Sequence, residues 1–279
     1  MILPDPGPVP RPLPKPGRTA PQLASEVAWA VAKHGALTTR RLIHTYGPKP
    51  LWQDLIERGL LREVLTLYGP VIGLTDQGRL RAAELNRKAS SNIYIPYVSG
   101  ASSLADRAYL MDAVQHLERL GYQWDHYTYK RAGRVGRAAS TGIKHTDQII
   151  CTTMQIPEQQ MRELLIHYRP LRHPTGNAGY RPEKLGCPSL YATVAHGGLS
   201  AARVRRLLRV HKSHLDVWHS PLLLAVPDAA PLLPLVRSVN NKHRLNMEQA
   251  IRNRLVSPRQ INLRICLLIL PLPRTTDAG

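Results

Sequence analysis

Phenylalanine is absent from this 279-residue chain, and only 5% of its residues are aromatic. Leu, Ile, Val and eleven tyrosines must therefore fill its cores. Cysteine is almost as scarce. Cys151, Cys187 and Cys266 are odd in number and far apart, which argues against a disulfide framework and for a reducing compartment. Long hydrophobic runs are missing as well: the longest, near residues 261–272, is interrupted by Arg264 and too short for a bilayer span. No amino-terminal stretch joins a basic region to an apolar run, so the expectation is a cytoplasmic protein with no secretory signal and no membrane contact. No glycine-rich loop ends in Lys-Ser or Lys-Thr, and no serine elbow occurs. ATP-driven chemistry and elbow-type hydrolysis are therefore unsupported.

Acidic residues are the last deficit. Nineteen Asp and Glu face thirty-eight Lys and Arg, a formal charge of +19 and a pI near 10.4. Such a surplus favours a polyanionic partner. Twenty-nine of the basic residues are arginines, whose fork suits phosphate and guanine edges better than lysine does.

What is present divides into segments. Residues 1–21 carry eight of the twenty-four prolines, seven of them on alternate positions from Pro4 to Pro16. That spacing predicts an extended, disordered tail without a hydrogen-bond ladder. Residues 22–86 read as a winged helix-turn-helix. Leu23, Val27, Ala30 and Val31 make a helical stripe stopped by Gly35, and Thr38 is placed to cap a second helix. A third helix is predicted over residues 48–59, where proline is tolerated in the first turn. The period then changes to two, with Tyr68-Gly69-Pro70 as turn chemistry, and a last helix starts at Thr75.

Residues 87–103 read as a linker and residues 104–279 as a mixed α/β domain. Helices are expected over 104–120, 200–218, 231–239 and 247–255. Strands are expected over 122–129, 147–154, 190–195, 222–226 and 261–270. The fold class is thus α+β or α/β, the second domain resembling a nuclease core that has lost its chemistry.

Candidate DNA contacts follow from docking geometry. In a winged helix the third helix enters the major groove, which nominates Lys49, Trp52, Gln53 and Arg58, with Arg40 and Arg41 on the second helix. Residues 130–144 hold Lys130, Arg131, Arg134, Arg137 and Lys144, three glycines and no acid, the composition of a phosphate-gripping arm. Arg205, Arg206, Arg209 and Lys212 give a predicted helix over 200–218 a basic face whose like charges repel unless a polyanion relieves them.

Enzymatic sets are thinner. A restriction-endonuclease-like site would use Asp147 with Glu183 and Lys184, but the strand candidate over 190–195 carries neither acid nor lysine. One carboxylate binds a divalent ion poorly. Cys187, His196, His211, His214 and His219 form no paired-cysteine knuckle, and structural histidines are the expected reading. The expectation is a non-enzymatic protein without metal or cofactor whose partner is nucleic acid, double-stranded DNA first. A metal-dependent nuclease, a winged-helix interaction module and a homodimer stay open as alternatives.

In organisation, residues 20–270 resemble the replication-relaxation family of plasmid-associated proteins, a winged helix joined to a degenerate nuclease-like domain. The residues that carry the resemblance are Leu55-Ile56-Glu57-Arg58-Gly59-Leu60-Leu61 and Gly73-Leu74-Thr75-Asp76-Gln77-Gly78. It implies DNA binding in plasmid replication, mobilisation or regulation.

Overall fold

The computed structural model describes residues 2–3, 19–89, 95–96, 98–130, 149–154, 186–194, 198–255 and 263–272. They form a mixed α+β structure with two sheets, divided into two compact units. One comprises Pro6–Gln115, Ala192–Gly198 and Pro271–Gly279; the other comprises Met1–Asp5, His116–Tyr191 and Leu199–Leu270.

In the amino-terminal unit, helix α1 (Ala20–His34) begins where the Thr19 N–H donates to Gln22 Oε1 at 2.9 Å. It ends at Gly35, whose φ of 84° is costly for any residue with a Cβ. Strand β1 (Ala36–Thr38) follows, then α2 (Thr39–Tyr46), capped by Thr38 Oγ1 accepting from the Arg41 N–H at 3.2 Å. Strands β2 (Leu61–Thr66) and β3 (Gly69–Leu74) form a hairpin. β1 joins its β3 edge, giving the antiparallel order β1-β3-β2. Helices α4 (Asp76–Lys88) and α5 (Ala101–Arg119) follow. At Gly78 the approach is close: a Cβ there would lie 1.9 Å from the Leu60 carbonyl oxygen.

The predicted third helix is not continuous. A 3₁₀ turn (Lys49–Leu51) and a single α-turn, α3 (Asp54–Glu57), replace it. Pro48 and Pro50 remove two N–H donors, and Trp52 leaves helical geometry at φ −137° to lie fully buried.

The carboxy-terminal unit is built on a five-stranded sheet ordered β4-β5-β6-β7-β8: Tyr122–Lys130, Ile149–Met154, Ser189–Ala192, Leu222–Val226 and Ile265–Ile269. β4, β5 and β6 run antiparallel, while β7 and β8 are parallel. All of β7 and four of the five residues of β8 are buried, as a parallel pair covered on both faces requires. Ile2 bridges Leu267, and the Leu3 N–H donates to the Leu267 carbonyl at 2.9 Å, so the first residues of the predicted tail add to this sheet.

The expected helix over 200–218 comes as α6 (Ala201–Val210) and α7 (Lys212–Val217), hinged at the buried His211. The two helices expected over 231–239 and 247–255 are one, α8 (Leu233–Arg252). Asn240, in the supposed gap, is held by the sheet. Its side chain accepts from the Arg264 and Ile265 N–H groups and donates to the Ile265 carbonyl, at 3.0, 2.9 and 2.9 Å. The core joins Val204, Leu207 and Leu215 to Leu222, Leu224, Val226, Val236, Ile265 and Leu267.

Candidate nucleic-acid interface

Helix α6 presents a basic face by simple amphipathic logic. Ser200 Oγ accepts from the Arg203 N–H at 3.2 Å and starts the helix. Val204 and Leu207 point into the core, which turns Arg205 and Arg209 to solvent one turn apart. Neither arginine has an acidic partner among the described residues. Arg206 is half-buried, and Arg203 lies 5.5 Å over the Tyr191 ring. Lys212, expected on the same face, begins α7 instead and pairs with Asp216. On α8, Arg237, Lys242 and Arg252 are exposed and likewise without an acidic partner among the described residues, whereas Arg244 meets Glu248 at 2.9 Å.

The amino-terminal unit treats its cations differently. Arg41 donates to the Met111 carbonyl at 2.6 Å and sits 3.4 Å from Asp112. Lys49 pairs with Glu63, which also accepts from Thr39 Oγ1 at 2.8 Å. Arg58 lies 3.6 Å from Asp54. Gln53 is half-buried, and Arg40 alone of these candidates is exposed without an ion pair among the described residues. Trp52 cannot read a base: its ring is fully inside the core, and its indole N–H has no acceptor among the described residues. The helical pattern placed it on the outer face, but the break at Pro50 turns it inward.

The acids around these cations are tuned in opposite senses. Burial pushes the Asp112 carboxyl above its ordinary pKa, while Arg41 and a 2.9 Å hydrogen bond from Tyr68 act the other way. Burial would also raise Glu63, but hydrogen bonds from Lys49 and Thr39 hold it below its ordinary value. Tyr68 meets Tyr109 edge-on, with ring centroids 5.0 Å apart, and burial raises both phenols.

Arg131, Arg134, Arg137 and Lys144 of the expected arm lie outside the described residues, as do Asp147, Glu183 and Lys184 of the nuclease alternative. Lys130 ends β4, opposite Ile149. Among the described residues no group of three His, Cys, Asp or Glu is placed to hold a metal, and no helix is long and apolar enough to cross a membrane. All three cysteines are buried, and none is in a disulfide.

Two things escaped the sequence reading. The cations of α8 were hidden because Asn240-Asn241 has loop composition. The meeting of residues 215–220 with Leu263 and Arg264 follows from the pairing of β7 with β8, which no local pattern encodes. Comparison of the chain with protein-family models, with curated proteins and with solved structures finds no match, so its own geometry carries the functional argument.

Proposed function

We propose that the protein binds nucleic acid, double-stranded DNA first, and grips its phosphates chiefly through the carboxy-terminal unit. The observation that carries this reading is the exposed pair Arg205 and Arg209 on α6, without an acidic partner among the described residues. Unneutralised arginines at that spacing repel each other, and a polyanion relieves the repulsion while releasing condensed counterions. Residues 199–270 hold twelve Lys or Arg and only three acids, so α6 is part of a wider cationic surplus.

The amino-terminal unit fits a winged helix-turn-helix that orients the complex. Support comes from its order of helices and its three-stranded antiparallel sheet. With Trp52 buried, Arg40 and Gln53 remain as its readers. In the other unit, the β4-β5-β6 meander followed by a parallel pair fits a nuclease-like scaffold. This pairing of units agrees with the resemblance to the replication-relaxation family, and with it a role in plasmid replication or mobilisation.

The test is fluorescence anisotropy with labelled duplex DNA across a salt series. Six or more phosphate contacts predict a loss of about 10³-fold or more in affinity between roughly 50 and 200 mM salt. A flat response rejects the reading.

A further inference from the structure

A cleft of about 150 Å³ opens inside the carboxy-terminal unit, its lining including Leu215, Asp216, His219, Met247, Leu263 and Arg264. Three observations make it more than a packing gap. His219 holds φ at +48°, a conformation that L-residues adopt at a cost and that collects at binding sites. The Arg264 side chain is only 12% exposed, and its guanidinium makes one ion pair, to Asp216 Oδ1 at 2.8 Å. A guanidinium carries five N–H donors, so one carboxylate does not exhaust its capacity. The walls are largely apolar, from Leu215, Met247 and Leu263.

Charge selects the ligand class. Asp216 is shared between Arg264 and Lys212, and burial lowers the His219 pKa against the opposing pull of Asp216, which disfavours a charged ring there. A phosphate dianion would meet the Asp216 carboxylate. A neutral ring system with an acceptor edge would not, and a cleft near 150 Å³ that opens to solvent has room for one flat base. Unstacked bases are held in this way, on aromatic and apolar faces with an arginine along one edge.

We propose that this cleft takes an unstacked purine base, guanine before adenine, with Arg264 donating to its acceptor edge. Guanine is preferred because its O6 and N7 match the fork of a guanidinium. The proposal rests on the nucleic-acid reading above and names the part of the ligand that reading leaves open.

The full chain is titrated with a short oligothymidine and with the same strand carrying one central guanosine. The guanosine strand binds at least about fivefold tighter, as one seated base requires. Met247→Trp fills the cleft, and Arg264→Lys keeps a cation beside Asp216 but loses the fork. Each brings the ratio of the two affinities near one while leaving duplex binding within about twofold of wild type. A ratio near one in the wild type, with salt-dependent duplex binding intact, overturns the cleft and spares the function. So does a preference that survives both variants. If neither strand nor duplex binds, the nucleic-acid reading fails, and saturation-transfer NMR with free guanosine decides the cleft alone. A signal abolished by Met247→Trp upholds it, and no signal from the wild type overturns it.

Discussion

Arg41, Lys49 and Arg58 in the amino-terminal unit and Arg205 and Arg209 in the other are similar groups in opposite company. Residues 20–88 contain ten basic and six acidic residues, and the acids are spent locally: Asp54, Glu63, Asp76 and Glu84 each pair with a neighbouring cation. Around α6 there is almost nothing to spend. Net charge is therefore a poor guide to a binding face, because a cation beside a carboxylate offers a polyanion little that is new. Location matters more. In this chain it places the electrostatic weight on the carboxy-terminal unit.

The largest effect should come from reversing the unneutralised pair. Arg205→Glu with Arg209→Glu is expected to lower duplex affinity about 100-fold, or about 2.8 kcal/mol, and to reduce the salt slope by about two. The same reversal at Lys49 and Arg58 should cost less than about threefold, since those charges are already matched. Anisotropy on both double variants checks this, and equal losses would abolish the contrast between the units.

The second effect is on stability. Asn240 ties α8 to β8 through three hydrogen bonds, and Asn240→Ala leaves three backbone groups without that partner. A loss of about 2–3 kcal/mol is expected, read by chemical denaturation. A change below about 0.5 kcal/mol would mean that solvent replaces the side chain and that the helix is fixed by its apolar face alone.

How much was legible in advance depended on the range of the signal. The strand at 222–226 was readable to the residue because an unbroken apolar run is what a doubly covered parallel strand needs. Thr38 and Gly35 marked helix ends through local chemistry. Strand β1 was invisible: three residues carry no period, and only pairing with β3 makes them a strand. Trp52 misled because a 3.6-residue pattern assumes an unbroken helix. The face of α6 carrying Arg205 and Arg209 was legible because one amphipathic turn specifies it, whereas the cleft joins His219 to Arg264 through sheet order.

A smaller effect would sharpen the comparison from the opposite side. Glu63→Gln should release Lys49 while preserving the shape of its neighbour. If the amino-terminal unit touches DNA, affinity should rise about threefold at low salt, and the gain should fade as salt screens it. No change at any salt concentration would place Lys49 away from the polyanion.

The subtlest test concerns Asp112, the acid that neutralises Arg41. Burial raises its pKa, so the folded state holds the proton more tightly than the unfolded chain does. The stability this confers is fully present below the unfolded carboxylate value and is lost as pH rises through the folded one. Once ionised, the group therefore costs stability, even with Arg41 and Tyr68 in attendance. Asp112→Asn removes the ionisation and keeps an acceptor for the Tyr68 hydroxyl. The variant should gain on the wild type as pH climbs above the unfolded carboxylate value of about 4, and the gap should close again in acid. Glu63 has the opposite sign: its lowered pKa supplies stability that is lost as pH falls through the folded value, so it cannot mimic this trend. Denaturation curves at several pH values decide the matter. A difference between wild type and variant that stays level with pH would show Arg41 and Tyr68 offsetting the burial of Asp112 in full, making that pair as self-contained as those on the surface.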